Sequence, residues 1–139
     1  MNEIPLLEKW IYLTLSSDSE IVRAIEKRVF AYIAPQAAIY PLVIFNLQAS
    51  SDVQGAGVER IQTRAIYTIK TVSLGNPDAS TRTVLDRIDA LIGRAVHAPL
   101  DGLLFSARRT QTLGYVEAVG DIRYHHHGGM YEIFCYPEA

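Results

Sequence analysis

Ile4, Leu7, Ile11 and Leu15 recur at helical spacing, and Leu6 and Trp10 widen the same stripe. Apolar positions three and four apart mark a helix with one buried face. The spacing predicts an amphipathic helix over 4–16, with Pro5 tolerated in its first turn. Ser17-Asp18-Ser19-Glu20 then has the spacing of a capping box, with Ser17 as the cap and Glu20 reaching back. A second short helix follows to about Lys27, with Ile21, Val22 and Ile25 turned inward. Val29 to Ile33 reads as a short strand ended by a turn around Pro35.

From Pro41 the period changes to two. Pro41-Leu42-Val43-Ile44-Phe45 is an apolar run, Ser50 to Val58 is polar and glycine-bearing, and 60–70 alternates. On that last segment Ile61, Ala65, Tyr67 and Ile69 share one face, and Arg60, Gln62, Arg64, Thr68 and Lys70 share the other. Ile66 and Val72 interrupt the polar side. This is a β-hairpin with one face on a core. A Ser50–Val58 loop exceeds the roughly two to five residues that a hairpin needs, so Ser51, Asp52, Gln54, Gly55 and Gly57 are candidate contact residues.

Gly75-Asn76-Pro77 signals a stop and a new helix, with Asn76 as cap and Pro77 at the first helical position. Val84, Leu85, Ile88, Leu91, Ile92 and Ala95 form one stripe, so this helix is expected to run to about Val96. Arg82 and Asp86 have the spacing of an i,i+4 pair on its other side. Two β-like segments close the chain, Leu103 to about Thr112 and Arg123 to Tyr136. The expectation is one α+β domain over 1–139: a mostly antiparallel sheet of four to five strands, with helices packed on one face.

Composition narrows the classes. No apolar run approaches the roughly 20 residues of a membrane span, and the start carries Glu3 and Glu8 where a signal peptide is basic. No membrane partner and a cytoplasmic site of synthesis are therefore expected. Cys135 is the only cysteine, which excludes an intrachain disulfide and a cysteine-rich zinc site. A net charge of -2 gives no overall attraction for nucleic acid, so a sequence-reading DNA binder is not expected.

His125-His126-His127 is the most conspicuous chemistry. On a strand His125 and His127 point the same way, and Glu117 or Asp121 would have to complete a metal site. The plainer reading is an exposed strand end before Gly128-Gly129. Cys135 alternates with Tyr131 and Ile133 as a core residue does, and Gly55-Ala56-Gly57 lacks the pattern of a phosphate loop. Asp86 and Asp89 fall on a solvated helix face with no cleft in view. Arg60 and Arg64 share a strand face, and Arg108, Arg109 and Arg123 lie on other strands. They are either solvated, with some salt bridges, or poised for carboxylates of a neighbouring subunit.

The chain resembles the tail terminator, or tail completion, proteins of long-tailed bacteriophages and gene-transfer particles. The resemblance rests on the N-terminal helix, Arg28-Val29-Phe30 leading to Pro35, and Tyr40-Pro41-Leu42-Val43-Ile44-Phe45. It continues through the polar loop and long strand, Leu85-Asp86-Arg87-Ile88 with Leu91, and the ending His126-His127-Gly128-Gly129-Met130-Tyr131-Glu132-Ile133. It implies a structural virion protein with no catalytic residues and no cofactor, made in the host bacterial cytoplasm. Such proteins form a hexameric ring on the head-proximal end of the tail tube, stop tube growth and meet the head-tail connector protein. DNA passes through the lumen without specific binding. The alternatives are another connector ring component or, in a different class, a small metal-dependent enzyme using His125 and His127.

Overall fold

The computed structural model describes residues 3–54 and 60–138, which form three helices and six strands. In chain order these are α1 (Ile4–Ser16), α2 (Ser19–Ile25), β1 (Val29–Ala31), β2 (Leu42–Gln54), β3 (Arg60–Leu74), α3 (Ala79–Leu91), β4 (Ala98–Leu100), β5 (Leu103–Val119) and β6 (Ile122–Pro137). One sheet has the order β1-β2-β3-β6-β5-β4. Every pairing is antiparallel except β1 with β2. The α+β class stands, and the sheet has six strands rather than four to five. The addition is β4, whose three residues are too few to show an alternating pattern.

Helix boundaries follow caps that spacing alone misplaces. The cap of α2 is Asp18, whose carboxylate accepts the Ile21 amide at 3.2 Å, while Ser17 closes α1 and donates to the Leu13 carbonyl. Glu20 does not reach back; it pairs with Arg87 of α3 at 3.1 Å. Likewise Asp78, not Asn76, caps α3 by accepting the Thr81 amide at 2.9 Å, and the α-helix ends at Leu91. Both caps place a carboxylate on amides that have no partner within the helix. Arg87 also forks onto Asp18, at 2.7 and 3.2 Å, tying α3 to the start of α2. Hydrogen bonds from Arg87 hold the Asp18 carboxyl below its ordinary range against the opposing cost of burial.

All three helices contribute to a single core against one face of the sheet. Leu7, Ile11, Ile21, Val84 and Ile88 are buried against Ala65, Tyr67, Ile69, Ile133 and Cys135. Trp10 stacks on Phe105 with ring centroids 5.0 Å apart, and the buried Tyr67 hydroxyl donates to Glu8 at 2.9 Å. The strand faces read from 60–70 are correct for the residues whose burial is described. Ala65, Tyr67 and Ile69 are fully buried, and Arg64 and Lys70 lie on the opposite, open face.

The strands are far longer than this core. β2, β3, β5 and β6 have 13, 15, 17 and 16 residues. At roughly 3.3 Å per residue the longest spans about 55 Å, whereas a 13-residue helix covers about 20 Å. The sheet therefore overhangs its helical layer. This corrects the long-loop expectation: Ser51, Asp52 and Gln54 lie within β2, opposite Arg64, Thr63 and Arg60. Gly55 and Gly57 lie outside the described residues. β5 likewise continues seven residues beyond Thr112, to Val119. Ladder hydrogen bonds do not need apolar side chains, and a ribbon wet on both faces shows no alternation to read.

Gly128 and Gly129 sit inside β6, not beyond its end. A Cβ on Gly128 would lie 2.2 Å from the Ile69 carbonyl oxygen and 2.5 Å from the Lys70 Cα. Only glycine lets β6 approach β3 so closely. Gly128→Ala is expected to lower unfolding free energy by about 1–3 kcal/mol, because backbone must move to admit the methyl. Urea unfolding measures this directly, and an unchanged midpoint would refute the close-approach explanation.

Candidate assembly surfaces

Alternate residues of the four long strands project on the open face, which no helix covers. At its middle, Glu132 of β6 lies directly opposite Arg108 of β5 and diagonally from Arg64 of β3. Its two carboxylate oxygens divide between them: Arg64 Nε donates to Oε2 at 2.5 Å and Arg108 Nε to Oε1 at 2.9 Å. The Glu132 side chain is only 5% exposed, against 39% for Arg64 and 71% for Arg108. Burial pushes its pKa up, but hydrogen bonds and charge from both arginines outweigh that and hold the carboxyl below its ordinary range.

The other candidate residues are dispersed. Ser51 joins Arg64 and Arg108 on the open face, whereas Arg109 lies on the helix side and pairs with Asp89 at 3.2 Å. Arg123 is near the β5–β6 turn, where its guanidinium donates to the Gly120 carbonyl at 3.2 Å. Arg60 begins β3 opposite Gln54. Asp86 and Asp89, expected on a plain solvated face, line a cleft of about 400 Å³ with Arg94, Arg109 and His127. Glu132 was missed because one acid among Tyr131, Ile133 and Phe134 gives no signal until the cross-strand register is known.

The histidine run is not an exposed strand end. His126 lies on the open face between β3 and β5 and is only 7% exposed. Its Nε2 is 3.0 Å from Glu117, and Tyr115 stacks on its ring at 4.4 Å. Lys70 reaches the Tyr115 hydroxyl at 2.7 Å. Burial holds the His126 pKa below its ordinary value, more than Glu117 raises it. His125 and His127 share the other side of the strand, with ring centroids 6.3 Å apart. Glu117 is therefore engaged on the opposite face from that pair. Among the described residues no three His, Cys, Asp or Glu side chains gather as a metal site.

The two ends of the sheet differ in chemistry. The β2–β3 end carries Ser50, Ser51, Asp52, Gln54 and Gln62. At the opposite end, β5 and β6 run on past Leu74, the last residue of β3, as a two-stranded arm turning at Gly120. Val119 and Ile122 on this arm, and Tyr115 and Val116 just before it, where β3 still pairs with β6, are each about half exposed. The 32–41 connection comes to the same end, where Tyr40 packs against Tyr124 with ring centroids 5.4 Å apart. This end of β5 and β6 and the 32–41 connection, with Leu74, hold eight of the ten large apolar side chains found exposed among the described residues. Monomeric proteins rarely gather exposed apolar surface in this way.

No protein-family model and no curated protein matches the chain. Among solved structures it is similar to a chain from the virion of a native gene transfer agent particle. That likeness has a TM-score of 0.64 at 10% identity, covering 89% of this chain and 91% of that one. A second solved structure has a TM-score of 0.62 at 15% identity and is covered over 99% of both chains. At these identities the likeness establishes the fold.

Removing Glu132 tests the open-face network. Glu132→Gln leaves two guanidinium groups without their shared carboxylate and is expected to cost about 1–3 kcal/mol of stability. The wild-type contribution comes from a depressed carboxyl pKa. It is present above the unfolded-state value of about 4.3 and is lost as pH falls through the lower folded value. The stability gap between wild type and variant should therefore narrow below about pH 4. A gap that stays constant from pH 7 to pH 3 would contradict this assignment.

Proposed function

We propose that this chain is a structural virion protein that forms a hexameric ring at the head-proximal end of a phage or phage-like tail tube. There it ends tube growth and presents the joining surface to the head-side connector protein. In this role it has no catalytic centre, and DNA passes through the ring without specific binding. One observation carries the reading: the fold likeness to a chain of a gene transfer agent virion extends over nearly the full length of both chains. The sequence resemblance to tail terminators agrees with it. So does the architecture, since the strands overhang the core at both ends and supply surface that folding does not need.

In this reading the polar β2–β3 ribbon is a contact element for the tube. Two experiments test it. Purified protein added to growing tail tubes should shorten them and be visible by electron microscopy at one end. Unchanged tube lengths with bare ends would refute the terminator role. Replacing residues 53–62 by Asn-Gly between the paired Asp52 and Thr63 should shorten the ribbon and spare the buried Ala65, Tyr67 and Ile69. The variant is expected to melt within a few degrees of wild type yet fail to cap tubes; full capping would remove the ribbon from the interface.

A further inference from the structure

We propose that the pocket between the 32–41 connection and the open face of the sheet binds a primary alkylammonium group. The inference concerns a ligand site and is independent of the ring reading. The pocket has a volume of about 360 Å³, within the roughly 300–1,000 Å³ range of small-molecule sites. Tyr32 and Tyr40 come to it from the connection, and Glu117, Tyr124 and His126 come from β5 and β6. Tyr40 and Tyr124 form a corner of two rings, with centroids 5.4 Å apart and planes inclined by 53°. Tyr32 adds a third ring from a strained backbone, with φ at 68° in the left-handed region. Its amide donates to the Phe45 carbonyl at 2.8 Å and its hydroxyl to Glu8 at 2.5 Å, which pins the side chain. Strain of this kind collects where a structure holds a ligand.

The charge in the pocket is negative. Glu117 accepts from His126 Nε2 on Oε1, and its Oε2 has no hydrogen-bond partner among the described residues. Nε2 is the donor there, because an ionised carboxylate only accepts. His126 Nδ1 is buried with no partner. A proton on it would be a buried N–H without an acceptor, so the imidazole stays neutral and Glu117 keeps its whole charge. Burial raises the Tyr40 pKa, and Tyr124 and the Glu117 charge add to it, so phenol and carboxylate share one corner. Among the described residues no lysine or arginine lines the pocket; nearby Lys70 is turned to the Tyr115 hydroxyl at 2.7 Å.

Aromatic faces around an uncompensated carboxylate attract a cation. A primary ammonium suits this site better than a quaternary one, because the free Glu117 oxygen needs an N–H donor and an ammonium has three. Ile44 of β2 and Val72 of β3 give the apolar wall that a short alkyl chain packs against. Such a group is carried by a small free amine and by a lysine side chain of another protein.

Ligand-observed saturation-transfer NMR on the whole chain tests the site with n-pentylamine, which is protonated at about pH 7. The amine should bind with a millimolar dissociation constant. The uncharged 1-pentanol, of equal length, should bind roughly tenfold more weakly. Glu117→Gln keeps an acceptor for His126 and removes the charge. It should weaken the amine roughly fivefold and leave pentanol unchanged, with a wild-type melting curve as the check on folding. Nα-acetyl-lysine N-methylamide separates the two sources. Binding as tight as that of pentylamine assigns a partner protein's lysine, and weaker binding assigns a free amine. Pentanol binding as well as the amine, a Glu117→Gln protein that holds the amine like wild type, or no binding of either ammonium compound would each overturn the site.

Discussion

Everything in this fold depends on the register of β3 with β6. Twelve consecutive pairs, from Thr63 with Cys135 to Leu74 with Tyr124, decide which side chains meet the helices. This register sends Ala65, Tyr67, Ile69, Tyr131, Ile133 and Cys135 into the core and leaves Arg64, Glu132 and His126 on the open side. A slip of one residue would exchange the two sets and bury charge where the core now lies. Gly128 secures the alignment because a side chain there would collide with β3. The Arg64–Glu132–Arg108 network is a consequence of the same register, since it places one carboxylate within reach of two strands.

Given that register, strand length becomes the second constraint. A helix of 13 residues cannot roof strands of 15 to 17, so the sheet ends have no second layer. Those ends keep their backbone hydrogen bonds only by staying paired as ribbons. A protein selected for stability alone gains little from such overhangs, because each exposed residue is ordered without burying much apolar surface. Their presence is best explained by contacts made outside the chain, which is where the assembly reading draws its physical support.

Periodicity made legible whatever touches the core. The α1 stripe, the alternation through Ala65, Tyr67 and Ile69, and the α3 stripe all stand where the pattern puts them, because each faces one dry surface. Features with two wet faces or remote partners were hidden. Polar Ser50 to Gln54 read as loop, although a ribbon needs only its ladder. Asp18 and Asp78 displaced Ser17 and Asn76 as caps because the entry angle of the chain, not the spacing of residue types, selects the oxygen that reaches the free amides. The arginines were visible at once, but their partners were not: Glu132 and Asp89 lie 20 or more residues away in sequence from the guanidinium groups they meet.

Chemical asymmetry between the two sheet ends bears on how a terminator could work at all. A subunit that binds a growing tube and then stops it has to match the tube on one side and fail to recruit its own kind on the other. Two equivalent ends cannot meet that demand, because whatever admits the tube would also admit another layer of terminators. Here one end is polar, with Ser51, Asp52 and Gln54 on a paired ribbon, and the other gathers Tyr115, Val119, Ile122 and Leu74. Apolar surface suits a lasting contact between copies, whereas a polar ribbon loses little by standing in water until its partner arrives. On the proposed reading, then, the order of events follows from solvation: the apolar end is satisfied within the ring, and the polar end remains exposed and competent for the tube.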